Sequence, residues 1–402
     1  MSHKDCSIKK GSIFFYRLYD VAHEIQLNHA LSLLDETSNK EAKRYSLKKP
    51  TGLILRDAPI MVSLPEETFS LKINDFERFF SFSPTLKIWG YGVFSLSFRY
   101  DIPENTPLDE LILLSSAINQ SSHLDEVSVR LRDEFRRLLE KSLKTSSLNP
   151  LFEDYTTYLI EDMEVNGGRV SDPLIALNEI KYAELLLGEP KKKLSNSTKK
   201  HIRSHFTQYT RNDLLLMDFD AALVMDFGKE KEYFDYVDIL EFSLAQLLEL
   251  RIYDQLLDEK LDELYDSMEK GQFNKVTEFY TKLSEESGQL FMEFSDVFEK
   301  LDNSIKTAGD FYLARILKNA DERFGFDLLK KTMSRKIEAL SELSRMCQDK
   351  VDALIDQRRN ELAEISITKS HRMEMIVILL ISIEALPALK DLLLELLNLV
   401  GI

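Results

Sequence analysis

The chain has 402 residues, 44% of them hydrophobic, which is enough for about two or three domains with real cores and excludes a disordered protein. Its formal net charge of -16, from 52 basic and 68 acidic residues, works against a duty of neutralising nucleic-acid phosphates. Two cysteines, Cys6 and Cys347, build no disulfide framework, and the opening residues read neither as a secretory signal nor as an Arg-rich leader, so a reducing cytoplasm is expected around the bulk of the chain.

In chain order, SIFFYRL at 12–18 predicts a strand, apolar residues at helical spacing over 25–34 a helix, and 60–64, between Pro59 and Pro65, a short strand. Over 93–100, Phe94, Leu96, Phe98 and Tyr100 alternate with Ser95, Ser97 and Arg99, the pattern of an antiparallel sheet buried on one face and wet on the other. Helical patterns run over about 108–148, followed by a strand from Asp154 and a turn at Asn166, Gly167 and Gly168. Asp172 as cap, Pro173 at the first helical position and Gly188 before Pro190 bound one further helix. LLLMDFDAALVMD at 214–226 predicts two short strands about Asp218 and Asp220, and Gly228 is the expected end of a first domain, 1–228.

Residues 229–370 form the expected second, helical domain. Leu247, Leu250, Asp254, Leu257, Leu261 and Leu264 follow at alternating spacings of three and four, the mark of a coiled-coil seam. Leu283, Leu290, Phe294, Val297 and Leu301 make a second seam, and Met333, Ile337, Leu340, Cys347, Val351 and Leu354 a third, broken at Ser344. Gly271, Gly309 and Gly325 are expected breaks between helices. The fold class is therefore α+β: an N-terminal antiparallel sheet with helices, a long-helix coiled-coil-like region, and an apolar tail over 371–402.

That tail is mostly Leu, Ile and Val from Met375 onward, and Arg358, Arg359, Lys369, His371 and Arg372 precede it as a basic collar. Glu374, Glu384, Lys390, Asp391 and Glu395 interrupt it, with Glu384, Asp391 and Glu395 on one side of a helix, and Pro387 marks a kink. The tail reads as a membrane-associated segment, or as the apolar face by which subunits meet.

Asp254 inside the leucine seam needs a partner, and Arg251 stands one turn earlier. Carboxylates cluster at Asp218, Asp220 and Asp226, then at Asp235, Asp238, Glu241 and Glu249. Paired carboxylates hold divalent metals or serve as acid and base, which makes Asp218, Asp220 and Glu241 the metal candidates. Turn-forming Asp and solvated helix faces explain the same cluster in so acidic a chain. Lys191, Lys192, Lys193, Lys199, Lys200, His201, Arg203 and His205 form one basic stretch, without aromatic residues among the main lysines to stack bases. His201 and His205 lack the intervening Glu of a metalloprotease helix, and no GxxxxGK[ST], GxGxxG or GxSxG pattern occurs, so no cofactor is expected.

Two segments, 218–266 and HRMEMIVILLISIEAL at 371–386, resemble the family named for being required for meiotic nuclear division, also called the YagE family. The resemblance puts weight on Glu241, Gln246, Leu248, Glu249, Arg251, Tyr253 and Asp254, and on Arg372, Glu374 and Glu384. It implies a C-terminal membrane segment, no established catalytic activity, and a location on the cytoplasmic face of a bacterial inner membrane. The expectation is a non-enzymatic membrane-associated scaffold or tether, self-associating through its helical seams. A carboxylate- and metal-dependent hydrolase-like enzyme, or a soluble coiled-coil oligomer with a buried tail, are the alternatives.

Overall fold

A computed structural model describes residues 6–37, 42–45, 58–73, 76–144, 148–190, 193–228, 233–270, 276–305 and 311–400. Expected breaks at Gly271 and Gly309, and Lys191 and Lys192 of the basic stretch, lie outside these residues. The elements are, in order, β1 (Cys6–Asp20), β2 (Glu24–Ile25), α1 (Leu27–Thr37), β3 (Ala42–Arg44), β4 (Ile60–Ser63), β5 (Glu67–Ile73), β6 (Phe76–Ile88), β7 (Val93–Asp101), β8 (Thr106–Pro107), α2 (Leu108–Asn119) and α3 (His123–Leu138). Then follow β9 (Leu143–Lys144), β10 (Phe152–Val165), β11 (Gly168–Arg169), α4 (Pro173–Glu179), α5 (Tyr182–Leu186), α6 (Asn196–Arg203), β12 (Phe206–Thr207), β13 (Asp213–Met217) and β14 (Ala221–Asp226). Four helices close the chain: α7 (Tyr233–Lys270), α8 (Val276–Ile305), α9 (Phe311–Phe324) and α10 (Phe326–Val400).

The class is α+β, a large mixed sheet with helices followed by long helices. Among the described residues, the sheet runs β12-β13-β14-β10-β1-β7-β6-β4-β3, with β5, β8 and β11 attached at its margins. The β1–β10 and β1–β7 pairs are antiparallel, whereas β10 and β14 run parallel. Local chemistry sets the turns. Asn166 and Gly167 both take positive φ (54° and 77°), as a tight hairpin between β10 and β11 requires. Asp172 accepts from Leu174 N at 2.9 Å with Pro173 behind it, starting α4; the expected single helix stops at Ile180 and resumes as α5 before Gly188 (φ 60°).

The chain divides into two compact units. The first comprises Met1–Glu259 and Phe294–Lys336. Here one sheet face carries Ile13, Phe15, Tyr19, Phe80, Phe82, Phe94, Leu96 and Phe98, packed with residues of α1 to α6. The opposite face is covered too, by α7 and α9. The alternation in β7 had read as half wet, but Ser95 is fully buried and Ser97 is buried as well. The reason is chemical: Ser95 gives its hydroxyl hydrogen to Glu241 of α7, so a polar side chain is satisfied without water.

The second unit comprises Lys260–Glu293 and Ile337–Ile402. Leu261, Leu264, Leu283, Leu340, Leu343, Cys347 and Val351 are its buried residues of the expected seams and their neighbours. Ser284 and Ser344 touch through hydroxyl and carbonyl oxygens at 3.0–3.3 Å, so the seam position occupied by Ser344 is a close polar crossing of α8 and α10. Past Leu354 the described side chains of α10 are almost all exposed, and Pro387 lies inside the helix without ending it.

The membrane-spanning reading of the tail is corrected. Among the described residues no helix is long and apolar enough to cross a membrane. The charges decide this: the uninterrupted run between Glu374 and Glu384 is nine residues, 375–383. At about 1.5 Å per residue that is roughly 14 Å of helix, half of a hydrocarbon core of about 30 Å.

Candidate functional site

The most concentrated polar chemistry of the first unit lies between the sheet and α7. Asp238, Glu241 and Glu249 stand three and eight residues apart on α7, spacings that return to one side of a helix. Beneath them, paired strands set Lys87 of β6 beside Ser95 of β7, and Leu18 of β1 beside Ser95 in turn. Lys87 Nζ lies 2.8 Å from Asp238 Oδ1 and 2.7 Å from Glu241 Oε2, and Ser95 Oγ donates to Glu241 Oε1 at 2.6 Å. Tyr45 donates its hydroxyl to the other oxygen of Asp238, and its ring lies 4.6 Å from the ammonium of Lys87. The side chains of Lys87 and Glu241 are 6% and 3% exposed, so this is a buried ion-pair network. Burial works to lower the Lys87 ammonium, but Asp238 and Glu241 outweigh it and hold it above its ordinary value.

Two turns further along α7 the chemistry changes, because among the described residues the carboxyl of Glu249 meets another carboxyl, Asp20, rather than a lysine or arginine. Burial first, and then the charge of Asp20, push Glu249 well above the usual carboxylate range, against a hydrogen bond from Tyr253. Asp20, at the end of β1, is pushed up to about 7 by burial, against a backbone hydrogen bond from Ala22. Tyr253 OH also lies 2.8 Å from His23 Nδ1. Tyr91, in the β6–β7 turn, is raised by burial and by Glu249 and Glu241.

The expected metal candidates occupy three different places. Asp218 is ion-paired with Arg323 of α9, whose guanidinium covers the Phe219 ring at 4.1 Å and donates to His201 Nε2 at 3.1 Å. Asp220 is a surface residue whose carboxyl is raised by partial desolvation and by the charge of Asp154, against Arg251. Glu241 belongs to the Lys87 network. Among the described residues, no group of three or more His, Cys, Asp or Glu is placed to hold a metal ion. Asp226 accepts from Gly228 N at 2.9 Å, and the side chain of Asp235 lies outside the described residues. His201 and His205 stack edge to face, ring centroids 5.1 Å apart.

The remaining weighted residues divide between the two units. Arg251 pairs with Glu153 of β10, while Asp254 takes Lys336 of α10 at 2.6 Å, so the expected Arg251–Asp254 pairing gives way to two longer-range ones. Gln246 and Glu249 are buried under α7, whereas Arg372, Glu374 and Glu384 are exposed on α10. Lys87, Asp20, Tyr45 and Ser95 were not legible as site residues. Their only signal was polarity inside or beside apolar strands, as in Leu86-Lys87-Ile88.

An α+β head whose sheet is clasped by a charged helix, joined to a second, all-helical unit, defines the class. The chain belongs to the family described as the N-terminal domain of uncharacterized protein MJ0711, whose model matches residues 10–232. It is similar to uncharacterized protein MJ0711 of Methanocaldococcus jannaschii, 24% identical over 210 residues that cover 51% of this chain. The chain thereby spans 60% of that relative's length. No solved structure matches.

These findings correct two expectations. The family is not the meiotic-nuclear-division one that the two segments resemble; most of both segments is apolar helix with periodic acids, α7 after β14 in the first and part of α10 in the second, a composition that unrelated amphipathic helices share. The bacterial inner-membrane location falls with it, since it rested on that resemblance and on a spanning tail, while the matched relative is archaeal.

Proposed function

We propose that the protein is a non-enzymatic scaffold: a folded α+β head, and a helical unit whose α10 end is a surface for association with a second copy of the chain. The observation that carries this reading is the exposure of that end. Large apolar side chains from Met375 to Leu393 are 49% (Val377) to 65% (Met375) exposed. An apolar run of this size exposed along a helix is the mark of an interaction surface. The buried groups under α7 support the reading from the other side. Lys87 bridges Asp238 and Glu241 and so clasps a helix, which is a structural use of charge.

The test compares the full chain with a variant ending at Arg372, by sedimentation and thermal melting. The expected result is a self-associating full chain and a monomeric variant with an unchanged melting temperature. A variant that unfolds makes the end of α10 a core helix and overturns the reading; so does a full chain that stays monomeric at tens of micromolar.

A further inference from the structure

We propose that Asp20 and Glu249 are a proton-held latch: with their carboxyls protonated they seat the middle of α7 on the end of β1, and their ionisation lifts that part of the helix. The inference concerns the head alone and stands apart from the scaffold reading.

Three observations place the latch. Both carboxyls are buried, Asp20 at 7% and Glu249 at 2% exposure, in a layer closed by the β6–β7 turn. That turn is tight: Gly92 has φ 100°, and a Cβ built there would stand 3.4 Å from Asp20 Oδ1 and 1.7 Å from Ala22 O, so the backbone closes directly over Asp20. Among the described residues, the groups that face the pair bring no lysine or arginine: from α7 Tyr253, from the turn Tyr91, and from the chain after β1 the backbone of Ala22, with His23 reached through the Tyr253 hydroxyl, while Arg251 is engaged by Glu153. The contrast lies three turns of α7 earlier or less, where the carboxylates of Asp238 and Glu241 have Lys87 between them. Asp238 and Glu241 thus meet a cation on the sheet, whereas Glu249 meets the carboxyl of Asp20.

The consequence follows from proton bookkeeping. While the seated helix keeps a proton that the lifted one releases, each unit of pH favours the lifted form up to tenfold per proton. This window runs from the ordinary carboxylate range up to about 7 for Asp20. At the same time Lys87 keeps the start of α7 in place, so the movement is a local opening of the helix middle.

The experiment is amide hydrogen exchange on the full chain between pH 5 and pH 8, corrected for intrinsic rates, comparing residues 245–253 of α7 with residues 124–135 of α3. Protection of the α7 stretch is expected to fall at least tenfold across this range while that of α3 holds. Asp20→Asn and Glu249→Gln keep the shape and remove the ionisation, and each is expected to flatten the dependence. His23 and Tyr253 are unchanged in both, so a dependence of their making survives in the variants. A flat wild-type profile, or a slope that persists in both variants, overturns the latch. If one variant fails to fold, the other decides.

Discussion

Replacing Lys87 by Met keeps the aliphatic stem and removes the one ammonium that Asp238 and Glu241 share. The size of the effect can be worked from what remains. Glu241 keeps the Ser95 hydroxyl and Asp238 keeps the Tyr45 hydroxyl, but their side chains are only 3% and 12% exposed, so two adjacent carboxylates cannot both stay charged. The least costly escape is to protonate one of them. At pH 7 this costs about 4 kcal/mol for a carboxyl with an ordinary value near 4.3, and at pH 5 about 1 kcal/mol. The first figure agrees with the roughly 3–5 kcal/mol seen when one partner of a buried pair is removed. The chain provides its own reporter, since its single tryptophan, Trp89, is 2% exposed, stands two residues from Lys87, and packs on Phe242 of α7 at 5.7 Å between ring centroids. Urea unfolding followed by this fluorescence, at both pH values, yields the difference between variant and wild type, in which the titration of Asp20 cancels. A loss below about 1 kcal/mol at pH 7, or one of equal size at pH 5, refutes the buried-pair argument.

Other outcomes follow from single contacts. Asp20→Asn is expected to flatten the pH dependence of overall stability: the folded carboxyl sits at about 7 against an ordinary 3.8, so its contribution is full below the ordinary value and is lost as pH rises through about 7. That difference corresponds to on the order of 4 kcal/mol, read as the change in urea midpoint between pH 4 and pH 8; a wild type that gains stability over this range contradicts it. Gly92→Ala forces a Cβ to 1.7 Å from Ala22 O at φ 100°, and a loss of at least about 3 kcal/mol is expected on thermal melting, against under 1 if the turn rearranges. A double-mutant cycle on Asp254 and Lys336, side chains 23% and 15% exposed, should return a coupling of about 1 kcal/mol; a value near zero would put the pair in solvent.

Legibility followed range. Elements written in neighbouring residues could be read: the β7 alternation, the Asn166-Gly167 turn, the Asp172-Pro173 start, and the two strands about Asp218 and Asp220 all lie where expected. What failed depended on distant partners. Ser95 looked wet because the helix that covers it lies 146 residues later in the chain, and Lys87 looked incidental for the same reason, its acids being 151 and 154 residues away. Arg251 and Asp254 are separated by one helical turn and still pair elsewhere, with Glu153 and Lys336. Helical spacing permits such a pair, but two better-buried partners win over a solvated one. The tail differs for another reason: its apolar content is high, but Glu374 and Glu384 leave only nine residues between them, too short an interval to span.

The placement of charge under α7 also accounts for something apolar packing alone does not. Leucine-rich helix faces repeat every three or four residues, so a helix can move by one turn on a smooth apolar sheet at little cost. Lys87 and Ser95 are neighbours across two strands, and Glu241 reaches both while Asp238 takes a second hydrogen-bonding direction of the ammonium. A shift of one turn breaks all three contacts together and leaves an uncompensated charge in a dry layer. The network is thus worth little as net attraction and much as a register mark, which is why two acids three residues apart on α7 matter more to the fold than the many acids on its solvent side.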